Sequence, residues 1–498
     1  MNLAAVLDPH PDADVALISR GRETTYGTLR GQVASLRSGL AGLELQPGDR
    51  VGIVCGTNWY FVSAYLAVLG AGMVAVPMNP TSPPREIETE LATVEAAAVV
   101  VGPSGRGSFA GIDRAKVPSL RHSILTEPLD APGVVQLDDL LATEASHDVV
   151  PREDDDLAVL MFTSGTAGSP KAAMLSHGNL RANLEQLQAN EARAQTSADV
   201  SLGVLPMFHI FGLNVVLGLS LYAGSRVVLI ERFDPSSALD AIARHGVTIL
   251  PGAPAMWTAW AAMPDAPADA FASVRVAASG ASKLAVDVAE RIHERFGITV
   301  TEGYGLTEAS PVVTTAAGVE GKPGSIGAPL PGVHVRLVDA DGDDVLVGDA
   351  GEVWVSGPNV FKGYWNDAEA TANALTDDGW LRTGDIAVVD DDGQLFLVDR
   401  VKDLVIVSGF NVYPAEVENV LLEHAAVEAC AVVGVPHPYT GEAVKAFVVV
   451  RDGRSVEEDE LIAFCGERLA RYKCPDKVMF VDELPVGAGG KVLRRELR

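Results

Sequence analysis

The sequence is short of cysteine, lysine and aromatic residues. Only Cys55, Cys430, Cys465 and Cys474 occur in 498 residues, with no CxxC pair and no histidine beside them at metal-ligand spacing. A disulfide framework and a thiolate zinc site are thereby excluded, and reduced thiols in the cytoplasm are expected. Positive charge is the minority sign: 38 Lys and Arg face 66 Asp and Glu, for a net charge of -28 and a pI near 4.7. Phosphate-binding surfaces need concentrated positive charge, so no nucleic-acid partner is expected. The amino terminus lacks a basic segment followed by an apolar run, so export is not expected either.

Membrane-length hydrophobic runs are also scarce. Phe61 to Asn79 carries no charge, and Leu202 to Tyr222 is apolar apart from His209, Asn214 and small polar residues. Both are interrupted, at Gly70, Gly72, Pro77 and Pro206, and neither has the flanking positive charge that orients a spanning helix. Each reads as a buried helix followed by a core strand. No membrane span is expected; peripheral membrane contact and oligomeric state are left open.

What is present is apolar patterning. With 48% hydrophobic and 21% charged residues, the chain can bury more than one core, and its length suggests roughly two to four compact units. Short Val/Ile/Leu/Ala runs alternate with helical segments, as in the strand from Asp49, the helix Trp59 to Leu69, and the strands Met73 to Val76 and Ala96 to Val101. That alternation predicts βαβ units around largely parallel sheets, an α/β fold. From Val333 to Val398 the turns Asp341-Gly342, Asp378-Gly379 and Asp392-Gly393 predict an antiparallel or barrel-like unit. A last α/β segment follows from about Val401, with helices expected at Ala415 to Glu423 and Glu457 to Ala470, and strands at Ala429 to Val433 and Lys445 to Val450.

The first chemical signal is Phe162-Thr-Ser-Gly-Thr-Ala-Gly-Ser-Pro-Lys171, directly after an apolar strand. Small residues let backbone N–H groups approach anionic oxygens, hydroxyls add donors, and the lysine adds a full charge. The combination suits a triphosphate. It is neither a Walker A loop nor a dinucleotide fingerprint, and by itself such a loop is usually a solvated turn. Lysine scarcity weighs the other way: only 10 of the 38 basic residues are lysines.

Five further motifs follow in order: Ser279-Gly-Ala-Ser-Lys-Leu284, Glu302-Gly-Tyr-Gly-Leu-Thr-Glu308, Trp380-Leu-Arg-Thr-Gly-Asp385, Asp399-Arg-Val-Lys-Asp403 with Ser408-Gly409, and Gly489-Gly-Lys491. Together with the 162–171 loop they resemble the adenylate-forming superfamily of acyl-CoA synthetases, aryl-CoA ligases, adenylation domains and luciferases, over nearly the whole chain. The resemblance implies a large N-terminal AMP-binding domain over 1–398, with two βαβ sheet subdomains and a β-barrel-like subdomain. It also implies a small, mobile α+β C-terminal domain over 399–498.

The resemblance also implies residue roles. Thr163, Ser164, Gly165, Thr166 and Gly168 would cradle the ATP phosphates with Lys171. Tyr304 would stack on adenine while Gly280, Ala281 and Ser282 pass its other face, with Glu302, Gly303, Gly305 and Thr307 in the same nucleotide site. Asp385, assisted by Arg400, would bind the ribose hydroxyls, and Glu308 with Thr163 would hold Mg²⁺. Lys491 would bridge the attacking carboxylate and the α-phosphate as charge builds between them. Lys402 matches a hinge about which the C-terminal domain rotates between adenylation and thiol transfer, and can also touch phosphate. Ser408 and Gly409 would then line the pantetheine path of coenzyme A.

His209, in Pro206-Met-Phe-His-Ile-Phe-Gly212, stands where amino-acid-activating relatives carry an aspartate, which argues against an α-amino acid. It reads either as a gate to the acyl or thiol channel or as a core histidine. Gly303 stands where malonate-using relatives place an arginine, which argues against a dicarboxylate. The apolar surroundings of His209 and of Pro251 to Trp257 favour a medium- or long-chain fatty acid, with an aryl or cinnamate-like acid second. The chain departs from the family pattern at Phe162, Ala167, Ala172 and Ser282-Lys283. An adenylate-forming ligase that loads a carrier protein and a non-catalytic nucleotide sensor are the alternatives; the sensor would be expected to lack Lys491 or Glu308, and both are present.

Overall fold

Apolar runs without polar alternation are what strands buried on both faces require, and the computed structural model assembles them into two sheets. It describes residues 1–127, 133–163, 171–319, 321–400, 405–407, 410–412, 414–437, 441–469, 471–486 and 492–497. The first sheet has seven strands in the order Val134–Gln136, His122–Leu125, Ala98–Val101, Arg50–Val54, Val74–Pro77, Leu157–Thr163, Lys171–Ser176. All neighbours are parallel except the last pair, which is antiparallel. Ala98–Val101 illustrates the rule: every residue in it is buried.

The second sheet has nine strands in the order 328–329, 312–315, 300–305, 276–279, 249–252, 200–203, 226–229, 15–19, 22–25. Its centre is parallel, and the antiparallel pairs lie at its two ends. Parallel strands share their carboxyl ends, and loops leaving that edge are where α/β sheets bind ligands. Ser279, Glu302 and Gly252 all occupy that edge in register, since Gly252 pairs with Ser279 and Ser279 with Glu302.

The uncharged run from Phe61 is absorbed by the helix Trp59–Gly70, in which every residue from Phe61 on is buried. Asn58 caps it by accepting from the N–H groups of Tyr60 and Phe61, a contact worth about 1 kcal/mol. The strand Val74–Pro77 follows, as expected. In the second run the order is reversed: the strand Val200–Gly203 comes first, and a wide-turned helix Phe211–Gly218 continues into Leu219–Ala223. Pro206 is the reason, because it breaks the run between strand and helix. Among the described residues no helix is long and apolar enough to cross a membrane.

By its own contacts the chain divides into two compact units, one of residues 1–334 with 355–381, the other of 335–354 with 382–498. The turn-rich stretch expected to be antiparallel or barrel-like forms four strands in linear order, His334–Val338, Gly351–Ser356, Leu381–Val389 and Leu395–Arg400. The last two pair antiparallel, which sets Asp385 opposite Arg400. The remainder of the second unit is a five-stranded sheet built on Val427–His437 and Gly441–Val450, with helices Pro414–Leu422 and Glu458–Gly466. Val412, Val417, Val432, Val448 and Leu461 form its core.

Candidate active site

Lys171 opens the strand Lys171–Ser176 and pairs in register with Thr163, the last residue of Leu157–Thr163. The hairpin therefore brings the two ends of the predicted phosphate loop together, with the Thr163 hydroxyl donating to the Lys171 carbonyl at 3.4 Å. Segment 361–365 lies along the same strand: Met174 N–H donates to Gly363 O, Lys362 N–H to Met174 O, and Trp365 N–H to Ala172 O. This places Tyr364 between two of the predicted residues. The Lys171 ammonium sits 5.3 Å from the centre of the Tyr364 ring, and the Tyr364 hydroxyl donates to Glu308 Oε1 at 2.6 Å. Burial and the adjacent Glu308 carboxylate push the Tyr364 pKa far up, so the phenol stays protonated and remains a donor.

The sequence reading missed Tyr364. A signal was available: Phe361-Lys-Gly-Tyr-Trp365 is an aromatic cluster in a chain of which only 6% is aromatic.

Glu308 is fixed from behind by a buried amide network that was also missed. Phe361 N–H donates to Glu308 O. Asn359 donates to Ala309 O and accepts from Gln186. Asn183 donates to Val312 O and to Gln186, and accepts from Val312 N–H. Asn214 bridges Leu180 O and Ser310 O. All four amides are at most 6% exposed. Asn179, Asn183 and Gln186 recur three and four residues apart in the helix His177–Ala189, the spacing of one helix face, and a polar stripe at that spacing was the readable signal. Asn183→Leu leaves the N–H and C=O of Val312 buried without their partner. We expect it to lower the stability of this unit by about 2–4 kcal/mol in thermal unfolding.

The predicted adenine-site residues gather at the carboxyl edge of the nine-stranded sheet. Tyr304 is buried in the strand Val300–Gly305. Glu302 accepts the Leu284 N–H at 2.8 Å, which ties the 280–284 loop to that strand, and burial raises its pKa. Gly303 and Gly305 flank Tyr304; a β-carbon at Gly305 would stand 2.3 Å from Pro311 O, so only glycine fits there. Gly280 faces the Phe211 ring, which a β-carbon would meet at 2.9 Å. Ala281 holds φ at +71°, a left-handed conformation that costs a residue with a β-carbon on the order of 1 kcal/mol. Ser282 is exposed, and Thr307 opens the short turn Thr307–Ala309 that carries Glu308.

His209 is not a core histidine. Its side chain keeps solvent exposure, and its Nδ1 accepts the Phe211 N–H at 3.2 Å. That bond needs an unprotonated Nδ1, and surrounding protein atoms lower the pKa in the same direction, so the ring is held neutral. Asp385 lies in the second unit, 5% exposed, with its own N–H given to the Thr383 hydroxyl. Arg400 ends the strand opposite it. Ser164, Gly165, Thr166, Gly168, Lys402, Ser408, Gly409 and Lys491 lie outside the described residues.

Comparison with known proteins gives this geometry a family. The AMP-binding enzyme profile matches residues 4–365, and the profile of that enzyme's C-terminal domain matches residues 416–491. A feruloyl-CoA synthase from an Amycolatopsis species is 38% identical over 99% of this chain and 96% of its own. A long-chain-fatty-acid–CoA ligase of Bacillus subtilis is 35% identical over 96% of this chain and 90% of its own. Among solved structures, ATP-bound MatB from Rhodopseudomonas palustris superposes with a TM-score of 0.92 at 34% identity, covering 100% of this chain and 98% of its own. An anthranilate CoA ligase with anthranoyl-AMP superposes with a TM-score of 0.90 at 27% identity, over 100% of this chain and 96% of its own. The phosphate-loop hairpin, the Tyr304 strand and these full-length matches agree, and the chain belongs to the AMP-binding enzyme family, as an AMP-forming acid:CoA ligase.

Proposed function

We propose that the protein uses Mg²⁺–ATP to convert a carboxylic acid to its acyl adenylate with release of pyrophosphate, then passes the acyl group to the thiol of coenzyme A. The observation that carries this reading is the Lys171–Tyr364–Glu308 contact series at the mouth of the phosphate-loop hairpin. Lys171 offers its ammonium to the phosphates, and the loop residues Thr163 to Gly168 offer N–H and hydroxyl donors. Glu308 and the Thr163 hydroxyl are hard oxygen donors suited to Mg²⁺, which typically takes one or two carboxylates beside substrate phosphates. When bound, the ion would neutralise phosphate charge. In this reading Tyr304 and the 280–282 loop receive adenine, Asp385 and Arg400 receive the ribose, and Lys491 stabilises the charge that grows as the carboxylate attacks.

The two-domain division at 398/399 and the rotation about Lys402 belong to this proposal. Lys402→Pro is expected to reduce thioester formation at least about tenfold more than pyrophosphate release, because a hinge serves the second half-reaction. Equal loss in both half-reactions would place no hinge there.

For the acid, the starting expectation is a medium- or long-chain fatty acid, supported by the long-chain ligase relatives. An aryl acid is supported by the feruloyl-CoA synthase relative. The test is pyrophosphate release across fatty, aryl and dicarboxylic acids, with and without coenzyme A. Pyrophosphate without thioester would indicate the adenylate-stopping, carrier-loading alternative. A cytoplasmic location is proposed with it, on four cysteines that form no disulfide.

A further inference from the structure

Between the helical segment after His209 and the strands 200–203, 249–252 and 276–279 lies a cavity of ≈ 20 Å³, room for about one water-sized group. Its walls are mainly apolar: Val215 and Leu219 from the helical segment after His209, and Val276 and Ala278 from the strand that leads into the Gly280 loop. Three polar side chains break that lining, Arg193, Gln195 and Ser201. Arg193 is the first. A β-carbon built on Gly303 would lie 3.9 Å from its Nη1, so the guanidinium sits against the predicted nucleotide strand. Nη1 donates to the Thr315 hydroxyl at 3.3 Å, and among the described residues Arg193 forms no ion pair. Part of the residue's surface stays accessible, yet the charged end is packed among protein atoms, and desolvation lowers its pKa to about 10.

Gln195 is the second. Its Oε1 accepts from the Ser201 hydroxyl at 3.4 Å and shares the Ser225 hydroxyl, at 3.2 Å, with the Ser220 carbonyl, while Ser220 gives its proton to Ser201 Oγ at 2.8 Å. With the amide oxygen so occupied, Gln195 has only N–H donors left to offer the cavity it lines. Among the described residues, a cation with no carboxylate partner and an amide with N–H donors to offer make a wall that accepts oxygen and rejects hydrocarbon. A desolvated guanidinium facing a methyl group would forgo its hydrogen bonds, which is the larger penalty.

We propose that the acid carries an acceptor oxygen at the end remote from its reacting carboxylate, and that Arg193, aided by Gln195, selects it. This rests on the acid:CoA ligase reading above and narrows its substrate class. A phenolic or carbonyl oxygen and a second carboxylate share this chemistry, and matched acids separate them.

The experiment measures pyrophosphate release by the full-length enzyme with three pairs: cinnamate and 4-hydroxycinnamate, hexanoate and 6-hydroxyhexanoate, hexanoate and adipate. The wild type is expected to favour the oxygen-bearing member of at least one pair by at least about tenfold in kcat/KM, since sites built around polar donors reject analogues that lack the partner. A preference confined to adipate identifies a carboxylate; one in the first two pairs identifies a neutral oxygen. Arg193→Leu should erase the preference while changing the plain acid less than about threefold, and Arg193→Lys should restore part of it. Should Arg193→Leu not fold, Thr315→Val, which removes the hydroxyl held by Nη1, reads out the same ratio. Equal use of both members by the wild type, or an equal fall for both in the variants, overturns the proposal and leaves the ligase reading intact. Absence of pyrophosphate with every acid overturns the ligase reading itself.

Discussion

Lys491→Ala is expected to slow pyrophosphate release by about 10²–10³ while thioester formation from a preformed acyl adenylate stays near wild type. Adenylation brings a carboxylate and an α-phosphate together, two anions whose repulsion is the chief electrostatic obstacle. One preorganised ammonium that meets the charge as it develops supplies rate of that order. Thiol transfer starts from an adenylate in which the carboxylate charge has been consumed, so it has no need of the same cation. The split between half-reactions is therefore the diagnostic. A lysine that merely stabilised the C-terminal unit would depress both, and that result would remove Lys491 from the chemical step.

Glu308→Gln is the second large effect, about 10²–10³ in kcat/KM for ATP, with the Mg²⁺ concentration for half-maximal rate shifted upward. The amide keeps the shape and can still accept from the Tyr364 hydroxyl, so lost rate reports the lost charge. Tyr364→Phe provides the complementary measurement: the ring under Lys171 remains, while the 2.6 Å bond to Glu308 disappears. A hydrogen bond to a charged group contributes about 1.5–3 kcal/mol, so a loss of roughly tenfold or more is expected. If Glu308→Gln left the Mg²⁺ dependence untouched, the carboxylate would be a structural partner of Tyr364 and not a metal ligand.

The two variants also separate layers of the site. Glu308 would touch the metal, Tyr364 touches Glu308, and the amides of Asn359, Gln186 and Asn183 hold the turn beneath. Effects should shift along that series from rate toward stability, with Asn183→Leu registering mainly in unfolding.

The motifs of the proposed nucleotide site were legible because each is a set of residue types at short spacing, and their resemblance to the adenylate-forming superfamily suggested their roles. A glycine-rich loop ending in Lys171, the Glu302–Glu308 run and the Gly280-Ala281 pair each lie within a few residues of sequence. The parallel sheets were legible for a similar reason, since buried strands such as Ala98–Val101 are apolar throughout. The His209 segment was read less well, as a helix before a strand, because periodicity cannot order two short apolar runs on either side of Pro206.

What remained hidden consists of contacts between distant segments. The Tyr364–Glu308 bond, the Asn183 bridge to Val312 and the approach of Arg193 to Gly303 each join residues that no local pattern relates. Local sequence decides which groups are available and which way their own segment folds. Only tertiary packing decides which groups meet and what solvent they lose, and partner and desolvation together set the strength of a charge.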